Sequence, residues 1–311
     1  MAQHPEIEKK VGIRNRRFER FVDQYFQNLS KPFVGWTELK KRSAIEYDAF
    51  LCGSDQLWLP GNLGSHFYTL EFAPNEKAKI AYATSFGVSK IPWYQKVRTA
   101  AYLRRFQSLS TRELKGGQII KDLIGKDVQV VCDPTLLFDA QEWNKIIPEK
   151  QVVKEPYVFC YFLGTNSEHR AVAREFGAKT GLKLVTCPFL DNFVEEDQQF
   201  GDIQMYDMDA EDFVNLIRNA EYVLTDSFHG SVFSILHHKK FVIFNRFNSG
   251  SNSRNSRIDS LCEILGLNER RYAGNIGAQI NQRIDYDIVE ERLNQLRAES
   301  IQYLERALSK I

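Results

Sequence analysis

Five short polar clusters in this 311-residue sequence each follow a run of apolar residues. They are Gly53-Ser54-Asp55-Gln56, Ser85-Phe86-Gly87, Ser110-Thr111-Arg112-Glu113, Asp133-Pro134 and Thr225-Asp226-Ser227-Phe228-His229-Gly230. Histidine as a residue type gives or takes a proton near neutral pH, which makes His229 a candidate acid or base. A strand before it and a helix after it would set it beside backbone N–H groups and a helix dipole that favour an anion. The competing reading is a capping turn, with Asp226 or Ser227 as N-cap. Arg112 has the planar fork that matches a carboxylate or phosphate. Taken alone it reads sooner as one half of a surface ion pair with a nearby acid, and Arg246 and Arg257 read likewise, in a loop that could close over an anion or simply be solvated. Asp55 and Gln56 could bind sugar hydroxyls, while Trp58 is expected in the core. Asp133-Pro134 is expected to be structural, turning the chain after a strand. No HxH or HExxH spacing, Walker sequence or GxGxxG occurs, so neither a metal nor a nucleotide is signalled.

These clusters need strands to present them. Apolar runs at Tyr47–Cys52, Lys79–Thr84, Ser108–Ser110 and Val128–Cys132 read as four buried strands. Tyr157–Leu163, Leu182–Cys187, Tyr222–Thr225 and Phe241–Phe244 read as four more. Helical spacing lies between them at Trp93–Phe106, Glu168–Thr180, Ala210–Asn219 and Ser231–His237. Strands alternating with helices imply parallel, doubly wound sheets, whose ligands sit beyond the carboxyl ends of the strands. An amphipathic helix is expected over Arg14–Leu29 and another from Tyr286 onward. Pro148–Pro156 reads as an inter-domain linker, and Asn245–Arg257 as a mobile loop carrying Arg246, Arg254 and Arg257.

Composition narrows the class. There are 41 Lys+Arg against 40 Asp+Glu, a formal charge of +1, which argues against a nucleic-acid binder. Five scattered cysteines without a CxxC pair suggest neither disulfides nor zinc, and a reducing cytoplasmic location. No signal-peptide pattern or apolar stretch of membrane-spanning length is expected.

The ordered set of clusters resembles the polysaccharide pyruvyl transferase family. Tyr47-Asp48, Gly53 to Trp58, Ala83 to Gly87, Ser110 to Glu113, Asp133 to Leu137 and Thr225 to Gly230 carry it, with Asn255 to Leu261 and Gly266-Leu267. The likeness runs from about Tyr47 to about Arg271. It implies two Rossmann-like domains facing a cleft, similar to GT-B glycosyltransferases. Residues 1–147 would form the acceptor side, 156–285 the donor side and 286–311 a C-terminal helix. It implies transfer of a pyruvate ketal from phosphoenolpyruvate to two hydroxyls of a sugar, in a cell-surface polysaccharide or its lipid-linked precursor. His229 and Arg112 would be catalytic. Arg112, Ser227, His229, Gly230, Arg246 and Arg257 would bind the donor. Ser54, Asp55, Gln56 and Ser85 would bind the acceptor. No cofactor or metal is implied, and membrane-surface association could come through the acceptor. Two departures stand out. No strand–glycine loop–helix unit precedes Tyr47, and Ser227 stands where some members have a basic residue. The alternatives left open are a nucleotide-sugar glycosyltransferase and an inactive family member.

Overall fold

The computed structural model describes residues 5–190, 194–247 and 255–311. In chain order its elements are α1 (Pro5–Tyr25), α2 (Trp36–Glu46), β1 (Ala49–Cys52), β2 (Ala78–Thr84), α3 (Lys96–Leu103), β3 (Ser108–Thr111), α4 (Leu114–Ile124) and β4 (Gln129–Val130). They continue with α5 (Ala140–Ile146), β5 (Tyr157–Tyr161), α6 (Ser167–Thr180), β6 (Lys183–Thr186), β7 (Ile203–Gln204), α7 (Ala210–Asn219), β8 (Tyr222–Thr225), α8 (Phe228–Leu236) and β9 (Lys240–Ile243). The last are α9 (Ser256–Leu265), α10 (Ile276–Ile280) and α11 (Tyr286–Leu308).

Two compact units result, each built on one parallel sheet. One comprises Lys31–Phe138, Phe247–Asn268 and Asp285–Ile311, and holds four strands in the order β1-β2-β3-β4. The other comprises Met1–Ser30, Asp139–Arg246 and Glu269–Ile284, and holds five in the order β7-β6-β5-β8-β9. Both are the Rossmann-like α/β arrangement expected. The boundaries differ from expectation in four places, each for a visible reason.

First, α1 belongs to the five-stranded unit. Its Arg17 pairs with Asp209 (2.7 Å) and Asp212 (2.6 Å) at the start of α7, and its Tyr25 hydroxyl donates to Glu211 (3.1 Å). Second, Pro148–Pro156 is no linker. Lys150 donates its N–H to Asn215 (2.9 Å) and accepts from Asn219 (3.0 Å), and Val153 is buried. Third, α11 is an integral part of the four-stranded unit. The Tyr303 hydroxyl donates to the Ala81 carbonyl (2.7 Å), and Ser300 Oγ accepts from the Cys132 N–H (2.9 Å). Fourth, Arg257 is a buried residue in the first turn of α9, in the four-stranded unit, and not a loop residue of the donor-side domain. Arg254, expected in the same loop, lies outside the described residues.

The core of the four-stranded unit is aromatic. Trp58 is fully buried, with ring centroids of Phe86, Tyr102 and Phe106 at 5.3, 5.7 and 5.5 Å, and its Nε1 donates to the Tyr68 carbonyl (3.1 Å). Trp58 therefore anchors the Gly53–Trp58 loop from below and is not a stacking face. Four of the five cysteines are buried and Cys187 is half-buried, and burial pushes the Cys52 thiol up to about 12. Such thiols are poor nucleophiles at neutral pH.

Candidate functional site

In the four-stranded unit the polar clusters converge beyond the carboxyl ends of β1 to β4. At their centre lies Arg112, whose side chain is 1% exposed. Its Nη1 donates to Asp133 Oδ2 and its Nη2 to Asp55 Oδ1, both at 2.5 Å. Asp133 is itself 3% exposed, and takes Ser54 Oγ (2.6 Å) on the same oxygen. Its other oxygen accepts from the Thr135 N–H (3.1 Å) and hydroxyl (2.8 Å). Arg257 Nη1 reaches Asp55 Oδ1 from α9 at 3.3 Å. With its amide oxygen turned toward Arg257, Gln56 accepts from Nη1 (3.2 Å) and Nη2 (2.7 Å).

Two guanidiniums thus face the carboxylates of Asp55 and Asp133. Burial alone would raise the Asp55 carboxyl, but Arg112 and Arg257 outweigh it and hold the group below the usual carboxylate range. The Asp55 side chain is 58% exposed, so an ionised carboxylate is presented outward from a buried cationic base. Backbone geometry fixes it there. Asp55 has φ 67°, its carbonyl accepts from the Ser85 N–H (2.9 Å), and it bridges to Thr84. Gly87 has φ 64°, and a Cβ there would lie 2.5 Å from the Gln56 side chain. Only glycine lets the two loops meet.

Each residue of Ser110-Thr111-Arg112-Glu113 has a distinct task. The register of β2 against β3 slips between Ala81 and Thr84, and Ala83 takes φ 53°. Ser110 Oγ bridges that bulge, accepting from the Ala83 N–H (3.1 Å) and donating to the Ala81 carbonyl (2.9 Å). Thr111 Oγ1 donates to the Glu113 carbonyl (3.0 Å). Glu113 is fully buried and accepts on Oε1 from Ser85 Oγ (2.9 Å) and the Phe86 N–H (3.0 Å). Ser260, one turn after Arg257, accepts from the Leu114 N–H (3.0 Å) and so ties α9 to the start of α4.

Three expected site residues are thus engaged within the protein. Ser85 is buried, with its hydroxyl spent on Glu113 and on the Gly87 N–H (3.0 Å), so it shapes the loop and offers no hydroxyl to an acceptor. Arg112 and Arg257 are engaged by Asp55, Asp133 and Gln56. Asp133 and Glu113 were not singled out for the site. Their signal lay in the sequence, since an acid at each of two strand ends must be paired if buried.

Burial raises the Glu113 carboxyl above the usual range, against the opposing effects of Arg112 and the Ser85 hydroxyl. The folded protein then holds the proton more tightly than the unfolded chain. Stability contributed by this group is complete below the unfolded value of about 4.3 and is lost as pH rises through the folded value. Glu113→Gln keeps an Oε1 acceptor but no titration, so its stability curve should be flatter over that window. Its stability relative to wild type should rise with pH. Glu113→Ala strands Ser85 Oγ and the Phe86 N–H and should cost about 2–3 kcal/mol below the unfolded value, a deficit that narrows as pH rises because wild type alone titrates. Thermal melts from pH 4 upward check both. A wild-type curve parallel to that of Glu113→Gln would contradict the assignment.

In the five-stranded unit the chain order reverses between β5 and β8, so the crevice at their carboxyl ends is the switch point where such sheets bind ligands. The Leu163 and Gly164 N–H groups donate to the two oxygens of Asp226 (2.7 and 2.9 Å), locking the β5 end to the β8 end. Ser227 is the N-cap of α8, its Oγ accepting from the Gly230 N–H (3.3 Å). Ser227 and Gly230, both expected at the donor, are buried and bonded to each other in this cap. His229 falls in the first turn of α8 and is half-buried, its ring edge-on to Phe228 at 5.4 Å. Arg246 follows β9 and approaches Asp226 at 3.5 Å. His229 and Arg246 thus belong to one unit, and Arg112, Arg257, Ser54, Asp55 and Gln56 to the other.

The profile of the polysaccharide pyruvyl transferase family matches residues 5–248. The chain belongs to that family. A search of curated proteins found no match. Among solved structures it is similar to a Methanocaldococcus jannaschii UDP-GlcNAc 2-epimerase in complex with UDP-GlcNAc and UDP. The TM-score is 0.51 at 13% identity, covering 89% of this chain and 80% of that one. It is also similar to an S. aureus MnaA–UDP co-structure, with TM-score 0.51 at 16% identity, covering 85% and 74%. At these identities the likeness concerns the fold alone, which is GT-B-like. Among the described residues no helix is long and apolar enough to cross a membrane, and no group of three or more His, Cys, Asp or Glu could hold a metal ion.

Proposed function

We propose that this family member transfers a pyruvyl group from phosphoenolpyruvate to two hydroxyls of a polysaccharide or its lipid-linked precursor, forming a cyclic ketal. The observation that carries the donor half is the switch-point crevice of the five-stranded unit. His229, the first turn of α8 and Arg246 there offer a proton donor, a positive dipole end and a cation to a small anion. His229 gives a proton to the donor's methylene carbon or holds its phosphate. Protonation makes C2 an oxocarbenium, which one sugar hydroxyl attacks. Phosphate then leaves and the second hydroxyl closes the ketal. Of the two hydroxyl protons, one replaces the proton given to the methylene and the other leaves with phosphate. The balance closes without a redox partner, and the scheme calls on no cofactor.

The acceptor half rests on Asp55, Ser54 and Gln56. The outward carboxylate of Asp55 accepts from sugar hydroxyls, while Arg112 and Arg257 act as positioning residues that keep it ionised and fixed. A thermal-shift comparison tests the donor. Phosphoenolpyruvate at 100 times its dissociation constant should stabilise the fold by about 2.7 kcal/mol. Phosphate release with a glycan acceptor should follow. Stabilisation by UDP or GDP sugars and none by phosphoenolpyruvate would sink the reading in favour of a glycosyltransferase.

A further inference from the structure

The connection from β2 to α3 leaves the carboxyl end of the four-stranded sheet, the same end as the Arg112 cluster. It carries Trp93, Tyr94 and Val97, which are 82%, 67% and 83% exposed. Trp93 and Tyr94 lie edge to face at 5.9 Å. A soluble surface seldom leaves adjacent Trp and Tyr this bare, since both rings lose little by burying an apolar body with a polar tip at a wet boundary. The sequence that carries them is one-sided in charge. Residues 77–112 contain eight Lys or Arg and no Asp or Glu, in a chain whose net charge is only +1. Lys79 and Arg112 are buried, but Lys90 and Lys96, close to the aromatic pair in sequence, are exposed, as are Arg98 and Arg104 farther along the chain. Beside the pair, Lys90 and Lys96 help to line a cleft of about 340 Å³ between α3 and α4, with Ile91, Ile119 and Leu123 as apolar lining and Asp122 as its acid.

We propose that this patch is a docking surface for an anionic lipid bilayer. Tyr and Trp favour the headgroup level of a membrane, and lysines beside them reach outward to lipid phosphates. Apolar anchors of this size bind weakly alone, so the basic surround supplies the second signal that stable attachment needs. Charge complementarity selects the occupant, because a protein partner would need a matching acidic face around an apolar socket, whereas an anionic bilayer offers both over any area. The contact is made by the protein's own side chains and does not depend on the acceptor or on the reaction.

The test is flotation of the full chain with phosphatidylcholine vesicles and with mixed phosphatidylcholine–phosphatidylglycerol vesicles. Binding is expected only to the mixed vesicles and should fall with salt. Lys90→Gln with Lys96→Gln should lower partitioning by about 30-fold at low salt, from about 1 kcal/mol per basic residue. Trp93→Ser with Tyr94→Ser should lower it by about tenfold or more. Both pairs are exposed, so circular dichroism and the melting curve should stay as in wild type. The proposal is overturned if wild type floats equally with neutral vesicles, or with neither kind. It is overturned too if both double variants float like wild type. A concentration-dependent dimer that Trp93→Ser abolishes, without vesicle binding, would assign the patch to a second copy and also overturn it.

Discussion

Asp133→Asn is expected to destabilise the protein by about 3–5 kcal/mol, while Asp55→Asn should cost no more than about 1 kcal/mol. The two carboxylates bond the same guanidinium at the same 2.5 Å. Only their surroundings differ. Asp133 is 3% exposed and Asp55 is 58% exposed. Water can replace Asp55 as a partner for the outer edge of Arg112, and it screens the attraction that is lost. It cannot reach the inner edge. An amide at position 133 presents a donor either to Arg112 Nη1 and Ser54 Oγ or, turned over, to the Thr135 N–H. Each orientation sets donor against donor, and the buried guanidinium also loses the inner of its two countercharges, keeping only the solvent-facing Asp55. Replacing both partners, as Arg112→Met with Asp133→Leu, should recover part of the loss, because a buried charge whose inner edge is unpaired is what costs most. Equilibrium urea denaturation measures all four proteins. If Asp133→Asn and Asp55→Asn lie within 1 kcal/mol of each other, the cluster is not buried as described.

Strand and helix alternation was legible because a parallel strand covered on both faces reads as a continuous apolar run. Ala210–Asn219 and Tyr222–Thr225 match α7 and β8 residue for residue. Local pattern could not tell which unit a segment joins. The helix α1 buries none of its own residues, and its place is set by Arg17 reaching Asp209 and Asp212 at a sequence distance of about 190 residues. Likewise Arg257 sits in a stretch of Ser, Asn and Gly that reads as solvated loop. Its burial depends on Asp55 and Gln56, some 200 residues earlier. The polar clusters themselves were legible as turns after strands. The division of labour within them was not. Ser85 looked like a ligand-binding hydroxyl and proves to be a buried prop for the loop, while Asp133 looked like a turn residue and proves to hold the central charge.

His229→Ala should lower kcat/KM for phosphoenolpyruvate-dependent transfer by about 10²–10⁴, the range for a positioned proton donor. It should leave stability within about 1 kcal/mol of wild type, because the ring is half-buried and the Ser227 cap on the Gly230 N–H remains. That contrast separates it from Asp133→Asn, where stability falls first. Two roles remain for the side chain, and His229→Gln distinguishes them. Glutamine keeps a hydrogen-bond donor but cannot deliver a proton. If His229 protonates the methylene carbon, alanine and glutamine should depress kcat alike, since neither supplies an acid. If it holds the phosphate, glutamine should restore much of the rate and shift KM instead. Transfer run in deuterated water adds an independent mark, because the methyl group of the ketal must take one hydrogen from the acid. In wild type that methyl should carry one deuterium. Steady-state kinetics of the three proteins, with phosphate release as the readout, decide between the roles. Wild-type rates in both variants would remove His229 from the reaction altogether, and with it the donor half assigned to the five-stranded unit.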